Sequence, residues 1–465
     1  MMKDAKTLSE ELFYTKKSVY QATDDAVVDG AYAFATPYAA FLDAAKTERE
    51  AVKESIRIAE EAGFKPYTFG MKLNAGEKYY YNNCGKNLFL FTVGSEPIEN
   101  GVRISAAHID SPRLDLKQCP LYEEGGMSFF KTHYYGGIRK YQWVATPLAL
   151  HGVISKADGT NVEVSIGEDD NDPVFYINDL LPHLGHQQEK QPLGEAIPGE
   201  KLNILIGSRP YDKSGDSDSI KLNTMRLINE KYGIKEDDFL SAELEVVPAF
   251  KARDIGFDRS MIGAYGHDDR VCAYPALRAI IDAADSKHTL MCILADKEEI
   301  GSEGNTGMQC ELMLDLINEI ANALGGNPAV VRANSKCLSA DVSAAYDPNF
   351  ADVYEKKNAA FVNYGVGICK YTGARGKSGS SDANAETVAY VRAVLDGAGV
   401  RWQICELGKI DAGGGGTVAM YMANRNITTL DAGVPVLAMH APFEVVSKLD
   451  CYETYKGMRA IYEAE

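Results

Sequence analysis

The sequence has no long apolar run, and this absence removes one class of protein. Over its 465 residues, no segment approaches the roughly 20 apolar residues that a membrane-spanning helix needs. The first residues, from Met1 to Lys6, also lack the apolar core of a signal peptide. We therefore expect a cytoplasmic protein with no membrane partner.

Paired cysteines are also missing. The nine cysteines are an odd number, they are scattered, and no Cys-x-x-Cys pair occurs. This pattern argues against a disulfide framework and against a zinc site built from thiolates. Cys272, Cys292 and Cys405 lie in apolar stretches, which indicates reduced thiols in the core of a cytosolic protein.

The sequence has fewer basic than acidic residues. The chain has 48 Lys and Arg against 66 Asp and Glu, which gives a net charge of −18 and a pI near 5.0. This field repels nucleic acid and anionic membranes, so we expect neither as a partner. A local basic pocket for an acidic substrate remains compatible with it.

Helix-like and strand-like segments alternate in both terminal parts of the chain, which is long enough for two domains. Apolar periodicity between Pro37 and Gly63 predicts a helix over residues 38–62. The other predicted helices cover residues 270–284, 311–324, 383–395 and 417–424, and the predicted strands cover residues 88–93, 102–107, 290–294, 329–332, 402–406 and 434–439. This order predicts an α/β fold with a mixed, largely parallel sheet flanked by helices.

The middle of the chain has a different pattern of apolar and polar residues. Short alternating segments are separated by turn residues, and residues 153–166 predict a β-hairpin with Asp158 and Gly159 at its turn. We therefore expect a β-rich domain over residues 110–248, inserted into an α/β domain formed by residues 1–109 and 249–465.

Two adjacent acids, Glu298 and Glu299, follow a very apolar run. Carboxylates at the end of a buried strand repel each other, so solvation alone gives no reason to place them there. One of them can bind a metal ion while the other stays free as a general base. The alternative is an acid pair in an exposed loop.

His108 and Asp110 end another predicted strand. His108 can bind a metal ion through one ring nitrogen while Asp110 accepts the other N–H, which fixes the tautomer. The alternative is a strand-end histidine beside a turn that begins at Asp110.

Three more candidates lie at predicted element boundaries. Asp268 precedes a helix, where an acid also serves as a cap. Asp341 follows an apolar segment and can instead form an Asx-turn. His440 also follows an apolar segment, where a buried histidine bonded to backbone is the alternative. Because strand carboxyl ends share one edge of an α/β sheet, these sites together favour a common metal centre.

The donor set mixes nitrogen and oxygen. One histidine and one carboxylate per ion, with a further carboxylate shared, suit Zn²⁺ and also manganese or cobalt. Two such ions roughly 3.5–4 Å apart lower the pKa of a bridging water towards about 7, so that no serine or cysteine nucleophile is required. The residues therefore predict a metal-dependent hydrolase.

Two loops are candidates for substrate contact. Residues 413–416 are consecutive glycines, which suits a close approach of the backbone at Gly414 to a substrate. A phosphate loop is the rival interpretation, but no Gly-x-x-x-x-Gly-Lys-Ser/Thr pattern occurs. Arg375 and Lys377 form a basic loop that can receive an anionic group, and a solvated surface loop is the alternative.

With these residues in place, the chain resembles the aspartyl aminopeptidase family of cocatalytic zinc peptidases, in its bacterial form. The matching stretches follow the family's order through nearly the whole chain, and they are residues 105–114 (SAAHIDSPRL), 266–274 (GHDDRVCAY), 296–302 (DKEEIGS), 339–348 (SADVSAAYDP) and 438–440 (AMH).

The resemblance implies a role for each candidate. His108, Asp268 and Asp341 would bind one zinc ion, and the bridging Asp268 would bind the second together with Glu299 and His440. Glu298 would be the general base, and Asp110 would orient His108.

The resemblance also implies an exopeptidase that recognises a free α-amino group and prefers an acidic N-terminal residue, with Arg375 and Lys377 near the basic side chain that relatives use. The inserted domain would be a dimerisation domain, and dimers would build a tetrahedral dodecamer. A histidine of the insertion, His186 or else His183, would complete a neighbouring subunit's active site.

Two other functions fit the same residues. A related dimetal deacylase or carboxypeptidase shares the two-metal core, and N-acetylated peptides separate it from an aminopeptidase. A self-assembling shell protein with a vestigial site is the third hypothesis, and the presence of a side chain at every ligand position argues against it.

Overall fold

The computed structural model describes residues 3–213, 215, 217–284 and 286–464. Its strands are β1 Lys65–Pro66, β2 Lys78–Asn83, β3 Asn87–Thr92, β4 Arg103–His108, β5 Arg113–Glu124, β6 Met127–Tyr135, β7 Leu148–Ser155, β8 Asn161–Ile166, β9 Tyr176–Ile177, β10 Ile204–Gly207, β11 Ala242–Pro248, β12 Arg253–Ile255, β13 Met261–Ala264, β14 Leu290–Ala295, β15 Lys336–Ser339, β16 Ser343–Ala344, β17 Val366–Cys369, β18 Gly373–Ala374, β19 Trp402–Ile404, β20 Gly414–Gly415, β21 Thr428–Gly433, β22 Pro435–Leu437 and β23 Glu444–Ser447. Its helices are α1 Ala5–Leu12, α2 Val19–Ala22, α3 Asp25–Ala44, α4 Glu48–Glu61, α5 Leu193–Ala196, α6 Ser219–Tyr232, α7 His267–Asp282, α8 Leu312–Ala323, α9 Pro328–Asn334, α10 Ala385–Gly397, α11 Ala419–Ala423 and α12 Lys448–Glu463.

A central mixed sheet organises the two terminal parts of the chain. Its strand order is β1-β2-β3-β14-β4-β15-β21-β17-β19. The strands β14, β4, β15 and β21 at its centre are parallel to one another, and antiparallel pairs join them to both flanks. The predicted α/β fold with a mixed, largely parallel sheet is therefore confirmed.

Strand β14 shows why this sheet is buried on both faces. Leu290, Cys292 and Leu294 pack into one apolar cluster, which also holds residues of α3, α4, α7 and α12. Met291 and Ile293 point the other way, into a second cluster with residues of α8. A strand covered on both sides is apolar throughout, which explains the uninterrupted apolar run in the sequence.

The segment of the chain between β4 and β12 forms a second sheet, which is antiparallel. Its order is β8-β7-β11-β5-β6-β10-β9, and we call these strands with α5 and α6 the inserted unit. The predicted hairpin is confirmed, because β7 pairs with β8 across a turn in which the Lys156 N–H donates to the Thr160 carbonyl oxygen. The division into domains at residues 110 and 248 stays a prediction.

One predicted helix is wrong in its bounds. The segment 38–62 contains the end of α3 and the whole of α4, and Pro37 lies inside α3 instead of ahead of a helix. Helix α4 starts as a separate helix because of a capping box, in which the side chains of Thr47 and Glu50 each accept the other's backbone N–H group. Apolar periodicity continued across this break, so it hid the boundary.

Two predicted strands are also corrected. Residues 329–332 lie in helix α9, because Asn327 caps the first turn and Pro328 occupies its first position. Residues 434–439 were expected to be one strand of the parallel sheet. That sheet instead uses β21, and only Pro435–Leu437 forms a strand, in a smaller sheet of order β12-β13-β23-β22-β16.

The described helices and the cysteines bear on membrane insertion and on disulfide formation. Among the described helices, none combines the length and the apolar character required to cross a bilayer. Cys272, Cys292 and Cys405 are buried and carry free thiols, as predicted.

His151 joins the inserted unit to the rest of the chain. This β7 residue is 2% exposed, with Nδ1 2.8 Å from Glu50 Oε1 on α4 and Nε2 3.1 Å from Glu168 Oε1. Burial alone would lower the pKa of His151, but hydrogen bonds to Glu168 and Glu50 outweigh it and raise the pKa to about 9. The folded protein therefore holds a proton here that the unfolded chain loses near pH 6.5.

This link predicts a pH-dependent contribution to stability. Because the pKa of His151 is raised on folding, the contribution is complete below about pH 6.5 and is lost as the pH rises through about 9. His151→Gln should lower the free energy of unfolding by roughly 1–3 kcal/mol at pH 6.5 and by much less at pH 9.5. Urea denaturation at both pH values measures this, with the exposed His133→Gln as a control. An equal loss at both pH values would contradict the role of the proton.

Candidate metal centre

The carboxyl edge of the central sheet collects most of the candidate ligands. His108 is the last residue of β4, Glu298 and Glu299 form a 3₁₀ turn just after β14, and Asp341 comes two residues after β15. Because β14, β4 and β15 are parallel neighbours, their ends meet at one edge. The strand order therefore brings together side chains that are far apart in sequence.

Asp268 lies at the centre of this group. It belongs to the first turn of α7, where the peptide bond to Asp269 is cis, and its side chain is buried. Its Oδ1 lies 3.1 Å from His108 Nε2, and its Oδ2 lies 3.1 Å from His440 Nε2. Each oxygen of one carboxylate thus faces a different histidine.

Each histidine also faces a second carboxylate. His108 Nε2 is 3.8 Å from Asp341 Oδ1, and His440 Nε2 is 3.4 Å from Glu299 Oε1. Ligand atoms at about 2.0–2.2 Å from a tetrahedral ion lie roughly 3.3–3.6 Å from one another. The observed spacings are close to this value, so the cluster has the dimensions of a divalent metal site. His108, Asp268 and Glu299 form one set of mutually close ligand atoms, and His108, Glu298 and Asp341 form another.

The electrostatics of the cluster also favour cations. Burial and the nearby Asp341 charge raise the pKa of Glu298 to about 8. Burial, with the Asp268 charge second, holds the pKa of Glu299 well above its usual range. Because His108 Nδ1 donates to the Asp110 carbonyl oxygen, its Nε2 is an unprotonated ligand atom, and the buried Asp268 Oδ1 beside it has no donor among the described residues. Crowded carboxylates with imidazole nitrogens form a donor set that suits a divalent ion such as zinc.

Asp110 supports this cluster in a way that the sequence did not reveal. The ring Nδ1 of His108 donates to the Asp110 carbonyl oxygen (3.0 Å), and the predicted carboxylate partner lies slightly farther away (3.3 Å). The carboxylate instead accepts the backbone N–H groups of Glu298 (3.1 Å) and Glu299 (3.2 Å), and the Tyr135 hydroxyl (2.8 Å). Asp110 therefore fixes the turn that carries both glutamates.

Glu444 is a site residue that sequence analysis missed. This buried carboxylate accepts the N–H of His440 at Oε1 (2.7 Å) and the N–H of Asp268 at Oε2 (3.0 Å). It therefore ties together the backbones of two candidate ligands that come from different elements. A glutamate four residues after a histidine carries no recognisable signal, so only the structure identifies it.

The orientation of the His440 ring is fixed by the loop that follows β6 of the inserted unit. Its backbone has φ of 65°, a left-handed conformation that a non-glycine residue adopts only when its surroundings hold it there. Its ring Nδ1 donates to the Gly137 carbonyl oxygen (2.7 Å), just beyond β6. The loop after β6 thereby fixes the ring with Nε2 directed at Asp268.

A cleft of about 430 Å³ opens beside the cluster. Asp268, Glu298, Glu299, Asp341 and His440 line its inner end. The rest of the lining, which we call the outer wall, includes two of the predicted substrate residues and several that were not predicted, namely Arg375, Gly414, Cys369, Tyr371, Glu406 and Lys409. The buried Asp431 also lines the cleft, and burial with the Asp341 charge holds its pKa well above its usual range.

Two predicted residues lie elsewhere in this chain. Lys377 is outside the set that lines the cleft, and its Nζ lies 3.0 Å from Asp382 Oδ2 and over the Tyr371 ring. His186 lies on an exposed 3₁₀ turn of the inserted unit, with Nδ1 3.7 Å from Glu189 Oε2. The nearby Leu180, Leu181 and Leu184 are exposed as well.

Comparisons with known proteins identify the family. A family model described as aminopeptidase I zinc metalloprotease (M18) matches residues 41–462. A probable M18 family aminopeptidase 1 of Clostridium acetobutylicum is 48% identical over 461 residues, which cover 97% of this chain and 99% of that protein.

Solved structures give the same result. The crystal structure of aminopeptidase I from Clostridium acetobutylicum superposes with a TM-score of 0.92 at 46% identity, and the M18 aminopeptidase from Thermotoga maritima with 0.91 at 44%. Each match covers 97% of this chain and 100% of the other. The mApe1 dodecamer of yeast shares the fold at 22% identity, with a TM-score of 0.75 over 94% of this chain and 99% of its own. The chain therefore belongs to the M18 aminopeptidase family of zinc metalloproteases.

Proposed function

We propose that the protein is a two-zinc aminopeptidase that hydrolyses the first peptide bond of a peptide. The observation that carries this proposal is the Asp268 carboxylate, whose two oxygens each lie 3.1 Å from a different histidine. His108, Asp268 and Asp341 would hold one ion, and Asp268, Glu299 and His440 would hold the other. Manganese or cobalt would suit the same nitrogen and oxygen donors.

The ions and the side chains have separate tasks. When bound, zinc would supply Lewis acidity, because it would lower the pKa of a nearby water and polarise the peptide carbonyl. Glu298 lines the cleft, with Oε2 4.0 Å from His108 Nε2, and its backbone is fixed by Asp110. We assign it the role of general base, which takes a proton from the attacking water and passes it to the leaving amine.

The cleft also suggests how the substrate is chosen. The carboxylates at its inner end favour a cationic α-amino group, and N-acetylation removes that charge. Arg375 lies on the outer wall with no ion-pair partner among the described residues, so its guanidinium is available to an acidic N-terminal side chain. We therefore propose a preference for N-terminal Asp or Glu, with Arg375 as its source.

The inserted unit is proposed to mediate assembly. Exposed leucines surround the turn that carries His186, and apolar side chains in such a position suit burial by another subunit. A relative of the same fold forms a dodecamer. We propose that residues 110–248 form a dimerisation domain, that dimers build a tetrahedral dodecamer, and that His186 enters a neighbouring active site.

Removal of the proposed base should separate catalysis from metal binding. Glu298→Gln should lower kcat by roughly 10²–10⁴-fold while two zinc ions per chain remain, because the amide has the shape of the carboxylate but cannot take a proton. Initial rates and metal analysis measure the two effects. Asp268→Asn should instead lose zinc. Glu303→Gln is the control for Glu298→Gln, because Glu303 is an exposed glutamate shortly after the turn that carries Glu298. Full activity of Glu298→Gln would refute the assigned role.

Arg375 should determine the preference for acidic residues. Arg375→Met should lower kcat/KM for N-terminal Asp and Glu by roughly tenfold or more and leave N-terminal Leu nearly unchanged, since only the charge pair is lost. Lys377→Met is the matched control, because Asp382 already engages that ammonium. A larger effect of Lys377→Met would reverse the assignment. N-acetylated peptides should not be hydrolysed, and turnover of them would indicate a deacylase.

Mixed assemblies should test whether His186 acts in a neighbouring subunit. His186→Ala and Glu298→Gln should each be nearly inactive alone. Assemblies formed from both should regain activity, because the second variant supplies His186 to an intact base. Initial rates after co-assembly and the mass by ultracentrifugation measure this, with His183→Ala as the control. An inactive mixture of confirmed mixed composition would place His186 outside the neighbouring site.

A further inference from the structure

Two cysteines meet beside the wall of the cleft, on segments that carry none of the candidate ligands. Cys369 ends β17 and Cys405 directly follows β19, and these strands are parallel neighbours with Ile368 opposite Ile404. The two Sγ atoms lie 2.8 Å apart and both thiols are free, so the sulfurs are closer than van der Waals contact. A disulfide has an S–S distance of about 2.03–2.05 Å, so a small movement would join them.

The pair is accessible from one side. Cys369 lines the cleft and is 9% exposed, whereas Cys405 is 1% exposed behind it. A small oxidant in the cleft therefore reaches Cys369 first, and Cys405 is in position to react with whatever forms on that sulfur.

The surroundings also favour loss of one proton from the pair. The hydrogen bond with Cys369 lowers the pKa of the Cys405 thiol against the effect of burial, and the Lys16 ammonium lowers it further. The same hydrogen bond and burial raise the pKa of Cys369. Lys16 is held in place because its Nζ donates to the Ala359 carbonyl oxygen (2.8 Å). Cys405 therefore loses its proton more readily than Cys369, which suits it to attack the sulfur of an oxidised Cys369.

We propose that Cys369 and Cys405 form an oxidisable dithiol, which a small hydroperoxide converts into a disulfide on the cleft wall. The Cys369 sulfur attacks the hydroperoxide, the O–O bond breaks, and a sulfenic acid forms while an alcohol or water leaves with the proton. Cys405 then attacks that sulfur, the S–O bond breaks, and water leaves with the Cys405 proton. The two thiols lose two electrons, and the hydroperoxide gains them.

The disulfide would change substrate binding more than chemistry. Tyr371 lies two residues after Cys369, and Glu406 directly follows Cys405. The Tyr371 hydroxyl donates to Glu406 Oε1 (2.6 Å), and both side chains line the cleft. A bond between the sulfurs draws together the ends of β17 and β19 and moves this wall, while the candidate ligands stay on other strands.

The first test is chemical and does not depend on the proposed peptidase activity. The zinc-loaded full-length protein is reduced, freed of reductant and treated with stoichiometric hydrogen peroxide. We expect the intact mass to fall by two hydrogen atoms, a peptide map to show Cys369 linked to Cys405, and dithiothreitol to reverse both changes. Two alkylatable thiols at these positions after treatment, or a link to another cysteine, would overturn the proposal.

Variants assign the reaction to this pair. Cys369→Ser and Cys405→Ser should each abolish the loss of two hydrogens, and in Cys405→Ser a sulfenic acid at Cys369 should be trapped by dimedone. The exposed Cys84→Ser and the buried Cys337→Ser are the controls and should form the disulfide as the wild type does. Because the wild-type mass and peptide map stand alone, a variant that fails to fold leaves the test intact.

The kinetic test rests on the proposed function. Oxidised protein should show a KM for peptides raised roughly three- to tenfold, with kcat within about twofold, because the ligands are untouched. Addition of dithiothreitol should restore KM. A protein with a confirmed disulfide and an unchanged KM would overturn the placement of the pair on the substrate-binding wall.

Discussion

One shared carboxylate holds the candidate site together. The two histidines come from β4 and from the loop after β22, and Asp268 is the group that both of them face, at 3.1 Å each. Around it, burial and mutual repulsion raise the pKa values of Glu298, Glu299 and Asp341. The fold therefore concentrates negative charge at a point where divalent cations relieve the repulsion. The rest of the site serves to hold this arrangement.

A layer of backbone hydrogen bonds provides that support. Asp110 accepts both N–H groups of the turn that carries the glutamates, and Glu444 accepts the N–H groups of His440 and Asp268. Ligand side chains are thus placed by carboxylates that bind their main chain, which positions them more rigidly than side-chain contacts alone. The Gly137 carbonyl contributes from just beyond β6, so the inserted unit and the smaller sheet that precedes His440 are coupled at the site.

The lining of the cleft consists of two regions. Its inner end carries the carboxylates and His440, and its outer wall is built from β17, the segment after β19 and the short strands β18 and β20. Arg375, Tyr371, Glu406 and the dithiol lie on that wall. None of the candidate ligands lies on these strands, so the wall and the ligand cluster are separate parts of the cleft.

The fold class and most of the candidate ligands could be predicted from the amino-acid sequence alone, because both follow from local pattern. Apolar runs that end in polar residues predict strand ends, and parallel strands end at one edge, so His108, Glu298 and Asp341 were expected to meet. Contacts between distant segments could be identified only in the folded chain. Examples are the hydrogen bonds from two ligand backbones to the Glu444 carboxylate and the contact of Cys369 with Cys405. Periodicity describes neighbours along the chain, whereas these contacts depend on how separate elements pack.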